Sequence, residues 1–445
     1  MFSPRRSSHL PALVAAMVIV IAACGGASGP DESASPERGV GEPAISSTGP
    51  DADSEQTDIE PAATTTAPIE SSESTTQPPA TDSGDPTTTI TTVLVEDAPS
   101  EFDAALDELI EFVEDERGHS FAQRPVVLAL DNPTFSEAFA HLVAEDARES
   151  QTAYVNFTDI YRAMGVIGPT DDLESIWTSF GDAGVLGFYE PATGNIVLRG
   201  DELNALTRTT LVHELVHALD DQIFGLDRPE YDERDDEIGW AYSALFEGNA
   251  MVIERSYRST MSRADRDEEI LLQLDLPGGL TFSAFTNSFL DLQFGRYTSG
   301  ERFASALWAD GQATLDAAFV DPPSTSELLL EPDAYLDGQE PDPDVPAPPA
   351  DGAVFEEGLW GRAGWEAVLG DVISSTDSQR AAEGWGGDRF VAWRDGDRAC
   401  VRIDVYGDTP TDLDEFADAV ESWAREGDRQ VFYPTAEIVR VTACG

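Results

Sequence analysis

The chain of 445 residues contains 85 acidic and 26 basic residues, the latter all arginine, and its formal net charge is −59. We expect no nucleic-acid partner, because binding to phosphate backbones requires Lys and Arg, and the absence of Lys excludes Schiff-base and phosphate-loop lysine chemistry. At roughly 100 to 200 residues per domain, the length indicates two or three domains.

Residues 1–23 have the pattern of an export signal. Arg5 and Arg6 precede an apolar stretch from Leu10 to Ala23, which is too short to span a bilayer as a helix of the mature protein. The sequence Ile-Ala-Ala-Cys that ends at Cys24 resembles a bacterial lipobox. It predicts cleavage before Cys24, lipidation of its thiol and anchoring on the extracytoplasmic face of the cell membrane. The alternative is an ordinary signal peptide with a cysteine nearby.

Residues 24–98 are predicted to be a disordered linker. From Gly25 to Ala98 the chain has no Phe, Trp or Tyr and is rich in Ser, Thr, Pro and acidic residues. Such a segment cannot bury enough apolar surface to offset the loss of backbone entropy on folding.

The next part, residues 99–337, reads as one domain that carries the chemistry. Apolar spacing and turn residues predict its first elements. These are a helix over 101–116, a strand over 126–130, a helix over 136–149 and a β-hairpin with strands 185–190 and 195–199. A long helix is then predicted from Asp201 to Phe224, where Gly225 ends it, and a second one over 237–258. Further helices are expected over 282–294 and 300–319.

The C-terminal part changes in character. Residues 338–352 are rich in Pro and Asp and are predicted to be a loop, within a connector that covers 338–379. Residues 380–445 are predicted to form a small α+β module of alternating strands with a helix over 413–425. Cys400 and Cys444 both lie in this module, and in an exported protein two such cysteines predict a disulfide.

The helix that ends at Phe224 contains the sequence His213-Glu214-Leu215-Val216-His217. Residues four apart project on the same side of a helix, so both imidazoles can reach one metal ion, and Glu214 can contact the metal-bound water as a general base. Zn²⁺ is the cofactor that this pattern predicts. The alternative is a pair of histidines with a structural role only.

A third protein ligand is required. No histidine follows His217, so a carboxylate must serve, and the candidate is Glu247 in Ala-Leu-Phe-Glu-Gly-Asn-Ala on the next helix. The rival candidates are Glu237, Asp236 and Glu254.

The two segments together resemble the gluzincin clan of zinc metallopeptidases, and specifically metallopeptidases of actinobacterial lipoproteins. The resemblance rests on H-E-L-V-H-A-L-D-D-Q followed by A-L-F-E-G-N-A. It implies that His213, His217 and Glu247 bind zinc and that Glu214 is the general base. It also implies an α+β, zincin-like fold that is mostly helical, with an edge β-hairpin before the active-site helix.

The sequence departs from this clan at two positions. Asn249 stands where related sequences more often have Asp, and Met251 stands where many gluzincins have an Asp that binds a ligand histidine. Asp220 and Asp221, three and four residues past His217, are candidates for that partner, and the resemblance favours Asp221. The alternative for each is a solvated acid.

Two further roles follow from the resemblance. The clan usually stabilises the tetrahedral oxyanion with a Tyr or His, for which Tyr297 is the candidate here; packing is the alternative. In zincins an edge strand beside the active helix pairs with the extended substrate backbone, and the hairpin over 185–199 is in the right place. The alternative is a purely structural hairpin.

We therefore expect a lipid-anchored, extracytoplasmic zinc metallopeptidase that acts on a peptide or protein substrate. A non-catalytic envelope lipoprotein that uses the same fold as a binding or assembly scaffold is the first alternative. An interaction protein built on the C-terminal module is the second. The sequence makes no prediction of the oligomeric state.

Overall fold

The computed structural model describes residues 16–19, 100–200, 202–232, 236–274, 282–339 and 345–445. The predicted cleavage site, the lipidated Cys24 and the linker over 24–98 lie outside the described residues. Within these ranges the chain is mixed α+β, as the sequence predicts. None of the described helices is both long and apolar enough to cross a lipid bilayer.

A four-stranded sheet lies beside the helix that carries the histidines. Its strands, in the order β1-β3-β4-β2, are β1 (Ala16–Ile19), β2 (Val126–Leu130), β3 (Val185–Glu190) and β4 (Asn195–Arg199). β3 and β4 form the predicted antiparallel hairpin, and β2 runs parallel to β4. β1, from the apolar N-terminal stretch, pairs antiparallel with the outer edge of β3. That edge therefore accepts an extended apolar segment of the same chain.

Twelve of the described helices belong to this part of the chain. They are α1 (Ser100–Arg117), α2 (Asn132–Glu149), α3 (Gln151–Met164), α4 (Leu173–Gly184), α5 (Ala205–Phe224), α6 (Pro229–Asp232), α7 (Asp236–Thr260), α8 (Arg263–Leu274), α9 (Asn287–Asp310), α10 (Gln312–Val320), α11 (Ser326–Leu330) and α12 (Pro332–Leu336). α5 begins at Ala205 because the side chain of Asn204 accepts a hydrogen bond from the Thr207 N–H and caps the helix.

α7 and α9 cross with their backbones in contact at two glycines. A Cβ atom added at Gly248 would lie 2.0 Å from the carbonyl carbon of Gly300, and one added at Gly300 would lie 2.0 Å from the carbonyl oxygen of Ala244. Only glycine allows an approach this close. The crossing brings Tyr297, one turn before Gly300, towards Glu247.

The second sheet forms the C-terminal module with three helices. Its five strands, in the order β5-β6-β7-β9-β8, are β5 (Val354–Gly358), β6 (Trp385–Asp395), β7 (Arg398–Gly407), β8 (Asp428–Thr435) and β9 (Ile438–Cys444). The helices are α13 (Gly361–Gly370), α14 (Ser375–Glu383) and α15 (Pro410–Trp423). Because β5 pairs with β6, the sheet begins at Val354, ahead of the expected boundary at 380.

The predicted disulfide is present in this module. Cys400 of β7 and Cys444 of β9 are paired directly across the two strands, and their sulfur atoms are bonded. The bond therefore joins the last strand of the chain to the middle of the sheet.

A buried carboxylate fixes the start of α13. Asp388 of β6 is fully buried and accepts hydrogen bonds from two backbone and two indole N–H groups, those of Trp360, Gly361, Trp365 and Trp385. The segment around Asp388, which the sequence shows as Gly-Trp-Gly-Gly-Asp-Arg, thus has a structural role in this module.

Candidate metal centre

The histidine pair lies on α5, a helix that is buried over most of its length. Of residues 205–220 of α5, all but Arg208 are buried. The rings of His213 and His217 stand on the same side, with their centroids 4.7 Å apart, as the four-residue spacing requires. Neither side chain is accessible to solvent.

The structure brings the two histidines together with Glu247 of α7. Its Oε2 atom lies 3.0 Å from Nε2 of His213 and 3.3 Å from Nε2 of His217. The three ligand atoms all lie within 4.8 Å of one another. Over the described ranges, no other group of three His, Cys, Asp or Glu side chains has such an arrangement. These side chains could hold one cation.

The state of His217 tests whether a cation fits. Its ring is fully buried, Nδ1 has no hydrogen-bond partner among the described residues, and Nε2 has only the 3.3 Å approach of Glu247, which is not in hydrogen-bond geometry. A buried polar nitrogen without a partner is unfavourable, and a cation shared with His213 and Glu247 would satisfy one of the two. Two imidazole nitrogens and one carboxylate oxygen are also the donor set of catalytic zinc sites, in which a fourth position stays open. The residues fit the ion.

The charge balance of the centre favours a cation. Burial raises the pKa of Glu247, but His217 and His213 reverse this effect and lower it to about 2. Burial lowers the pKa of His213, but hydrogen bonds to Glu247 and Glu254 reverse this and raise it to about 10. Without a metal, a proton on His213 therefore balances the charge of Glu247, since Glu254 is paired with Arg258. A cation would replace that proton, so its binding should release protons.

Glu254 orients the first histidine. Its Oε2 atom lies 2.8 Å from Nδ1 of His213, and it stands two helical turns past Glu247 on α7. Arg258 forms an ion pair with Glu254 and donates a 2.9 Å hydrogen bond to Glu269 of α8. The carboxylate thereby directs Nε2 of His213 towards Glu247. From the sequence alone, Glu254 is only a rival candidate for the third metal ligand.

Glu214 lies beside β3, the strand with which β1 pairs. It is fully buried, and a Cβ added at Gly187 of β3 would lie 3.3 Å from its Oε1 atom. Along the edge of β3, Val18 of β1 is paired with Gly187. A segment paired with β3 therefore runs past Gly187, a residue that lies close to Glu214.

Tyr297 is part of the same cluster. Its side chain is buried, and its ring centroid lies 6.2 Å from that of His213. Burial raises the pKa of Tyr297, and its hydrogen bond to the carboxylate of Glu247 raises it further. The phenol is therefore neutral, and it is a hydrogen-bond donor within the centre.

The two aspartates that follow His217 are bound elsewhere. Asp220 accepts hydrogen bonds of 2.7 Å from Nε of Arg117 and of 2.6 Å from Nδ2 of Asn249. Asp221 accepts hydrogen bonds of 2.6 Å each, from the hydroxyl of Tyr189 and from the N–H of Leu226. The carboxylate contact to a ligand histidine is made by Glu254.

The other rival ligands lie away from the cluster or outside the described side chains. Oε1 of Glu237 accepts a 2.5 Å hydrogen bond from the backbone N–H of Ser326. It thereby fixes the start of α11. The side chain of Asp236 is outside the described residues.

Comparison with known proteins bears on the C-terminal module alone. The family model described as Domain of unknown function (DUF8575) matches residues 351–443, which span the second sheet. The match begins close to β5, in agreement with the boundary that the sheet gives. No curated protein and no solved structure matches the chain.

Proposed function

We propose that the protein is a zinc-dependent peptidase in which His213, His217 and Glu247 bind the ion and Glu214 is the general base. The observation that carries the proposal is the convergence of three buried ligand atoms from α5 and α7, with the buried Glu214 directly after His213 in the chain. The hairpin before α5 and the third ligand on α7 are the arrangement expected of a zincin-like fold. The predicted signal and Cys24 support an anchored, extracytoplasmic location.

Each residue of the centre has its own role in the proposed reaction. A zinc ion held by the triad would supply Lewis-acid polarisation of the scissile carbonyl and would lower the pKa of water. Glu214 accepts the proton of the attacking water and passes it to the leaving amine. Tyr297, a neutral donor, stabilises the carbonyl oxygen as negative charge develops on it. Glu254 keeps the ring of His213 in its orientation throughout.

The substrate is proposed to bind as an added strand. The outer edge of β3 pairs with Ala16–Ile19, which supports the view that this edge accepts extended peptides of apolar character. Pairing would carry a substrate backbone past Gly187 and Glu214. Cleavage before Cys24 would remove β1 from the chain and leave the edge open to a substrate.

Replacement of Glu214 tests the proposal. We expect Glu214→Ala to bind zinc like the wild-type protein but to lose casein hydrolysis by a factor on the order of 10²–10⁴ or more, because the general base is gone. Glu268→Ala, a change at an exposed acid of α8, is the matched control and should keep full activity. Hydrolysis retained in Glu214→Ala contradicts the proposal. Zinc binding without hydrolysis in the wild type would support the scaffold function instead.

A further inference from the structure

A buried hydrogen bond joins the two helices that carry the ligands. Nδ2 of Asn249 on α7 donates to Oδ2 of Asp220 on α5 at 2.6 Å, and neither side chain is accessible to solvent. Asp220 stands three residues past His217, and Asn249 stands two residues past Glu247. The bond therefore joins α5 to α7, and each of its two residues lies within one helical turn of a candidate metal ligand.

Both ends of this bond are fixed by further hydrogen bonds. Nε of Arg117 donates to Oδ1 of Asp220 at 2.7 Å, and Nη1 of Arg117 donates to Asp316 at 2.7 Å. Burial lowers the pKa of Arg117, but the two carboxylates reverse this effect and raise it. At the other end, Nε1 of Trp308 donates to Oδ1 of Asn249 at 3.0 Å.

The partners also fix which way the amide of Asn249 points. An indole N–H is a donor only, so Trp308 must face the oxygen of the amide. The amide nitrogen is thereby directed at Asp220, which accepts its hydrogen bond while its other oxygen is bound by Arg117. An Asp at 249 would place a second carboxylate against Asp220, and the two like charges would repel each other.

We propose that Asp220 and Asn249 form a brace, which sets the distance between the histidines of α5 and Glu247 of α7. Both are positioning residues: neither touches the three ligand atoms, and each acts through the helix that carries a ligand. The inference rests on the proposed zinc binding. The sequences that this chain resembles more often have Asp at position 249. Here the residue is Asn, which is neutral, and the carboxylate of Asp220, already bound by Arg117, requires such a partner.

An exchange of the two residues tests the brace. Asn249→Asp and Asp220→Asn should each lower the affinity for zinc about 10- to 100-fold, the usual effect of losing a group that orients a ligand. The double variant with both changes restores the bond, because Asn at 220 can donate to Asp at 249. Its zinc affinity should return close to the wild-type value. Asp267→Asn, at an exposed position of α8, makes the same chemical change away from the brace and should bind zinc like the wild type.

The measurement is zinc competition with a chelating indicator dye, on metal-free protein of the full mature chain. Circular dichroism of each metal-free variant establishes that it is folded. If a charged single variant does not fold, Asn249→Ala, which adds no charge, takes its place and should also bind zinc more weakly. The brace is contradicted if the single variants bind zinc as tightly as the wild type, or if the double variant is no tighter than they are. A wild type that binds no zinc contradicts the proposed function itself.

Discussion

Nδ1 of His213 lies 2.8 Å from Oε2 of Glu254, so one helix, α7, supplies both a metal ligand candidate and the group that orients another. Glu247 and Glu254 are seven residues apart and share a face of α7. The first lies 3.0 Å from Nε2 of His213, and the second binds the opposite nitrogen of the same ring. The geometry of the centre therefore depends on how α7 packs against α5.

Glu254→Gln should weaken metal binding without unfolding the protein. The amide retains one hydrogen bond to His213 but lacks the charge that Arg258 and the imidazole both require. We expect the affinity for zinc to fall about 10- to 100-fold, measured by dye competition. Glu268→Gln on exposed α8 surface is the control and should have no effect. Equal affinities in the two variants would show that Glu254 does not orient His213.

Gly248→Ala should destabilise the protein, because the added Cβ would lie 2.0 Å from the backbone of Gly300. Overpacking of this kind costs about 1–3 kcal/mol or more in the free energy of unfolding, measured by urea denaturation. Gly239 lies on the same helix, where an added Cβ would have, among the described residues, only the carbonyl oxygen of Tyr231 within 4 Å, at 3.9 Å. Gly239→Ala should therefore be neutral, or stabilising by up to about 1 kcal/mol. Similar losses of stability in Gly248→Ala and Gly239→Ala would show that the close crossing of α7 and α9 is not the cause.

A synthetic peptide that contains residues 16–19, made soluble by charged flanks, should inhibit hydrolysis by a chain that starts at Cys24. In the full chain this segment pairs with β3, with Val18 opposite Gly187. We expect competitive inhibition, measured as a rise in the apparent KM at constant kcat. The control peptide has Pro in place of Val18 and lacks the N–H that a ladder needs. If both peptides inhibit alike, strand pairing is not how they bind.

Asp388→Asn should destabilise the C-terminal module. The carboxylate accepts from four N–H groups, whereas an amide directs its own NH₂ at some of them. Oδ1 accepts from Trp360 alone, so the amide leaves at least this donor unpaired. An unpaired buried donor costs about 1–3 kcal/mol, so we expect a loss of at least this size in urea denaturation. Asp397→Asn, in the exposed turn between β6 and β7, should change the stability little. A loss at Asp388 no larger than that at Asp397 would argue against its structural role.

The features that the sequence predicts well are local ones. The spacing of His213 and His217 follows from helical periodicity, and the disulfide follows from two cysteines in an exported chain. The strand of the hairpin that ends at Glu190 was likewise recognisable from its apolar run and the turn after it.

The features that the sequence did not predict depend on how distant elements pack. The role of Glu254 depends on how α7 is aligned along α5. The close crossing at Gly248 depends on how α7 is aligned along α9. The bond between Asp220 and Asn249 joins residues 29 apart in the chain. β5 was missed because Val354-Phe355-Glu356-Glu357-Gly358 has only a short apolar start and no alternation; its pairing with β6 makes it a strand.

The most direct test of the account is a zinc titration of the metal-free protein by isothermal calorimetry, with wild type, Glu247→Gln and Glu214→Gln compared. The account predicts one zinc ion per chain for the wild type, with release of protons on binding. It predicts the same stoichiometry and similar affinity for Glu214→Gln, and much weaker binding for Glu247→Gln. A wild type that binds no zinc, or a Glu247→Gln variant that binds it unchanged, would contradict the assignment of the centre.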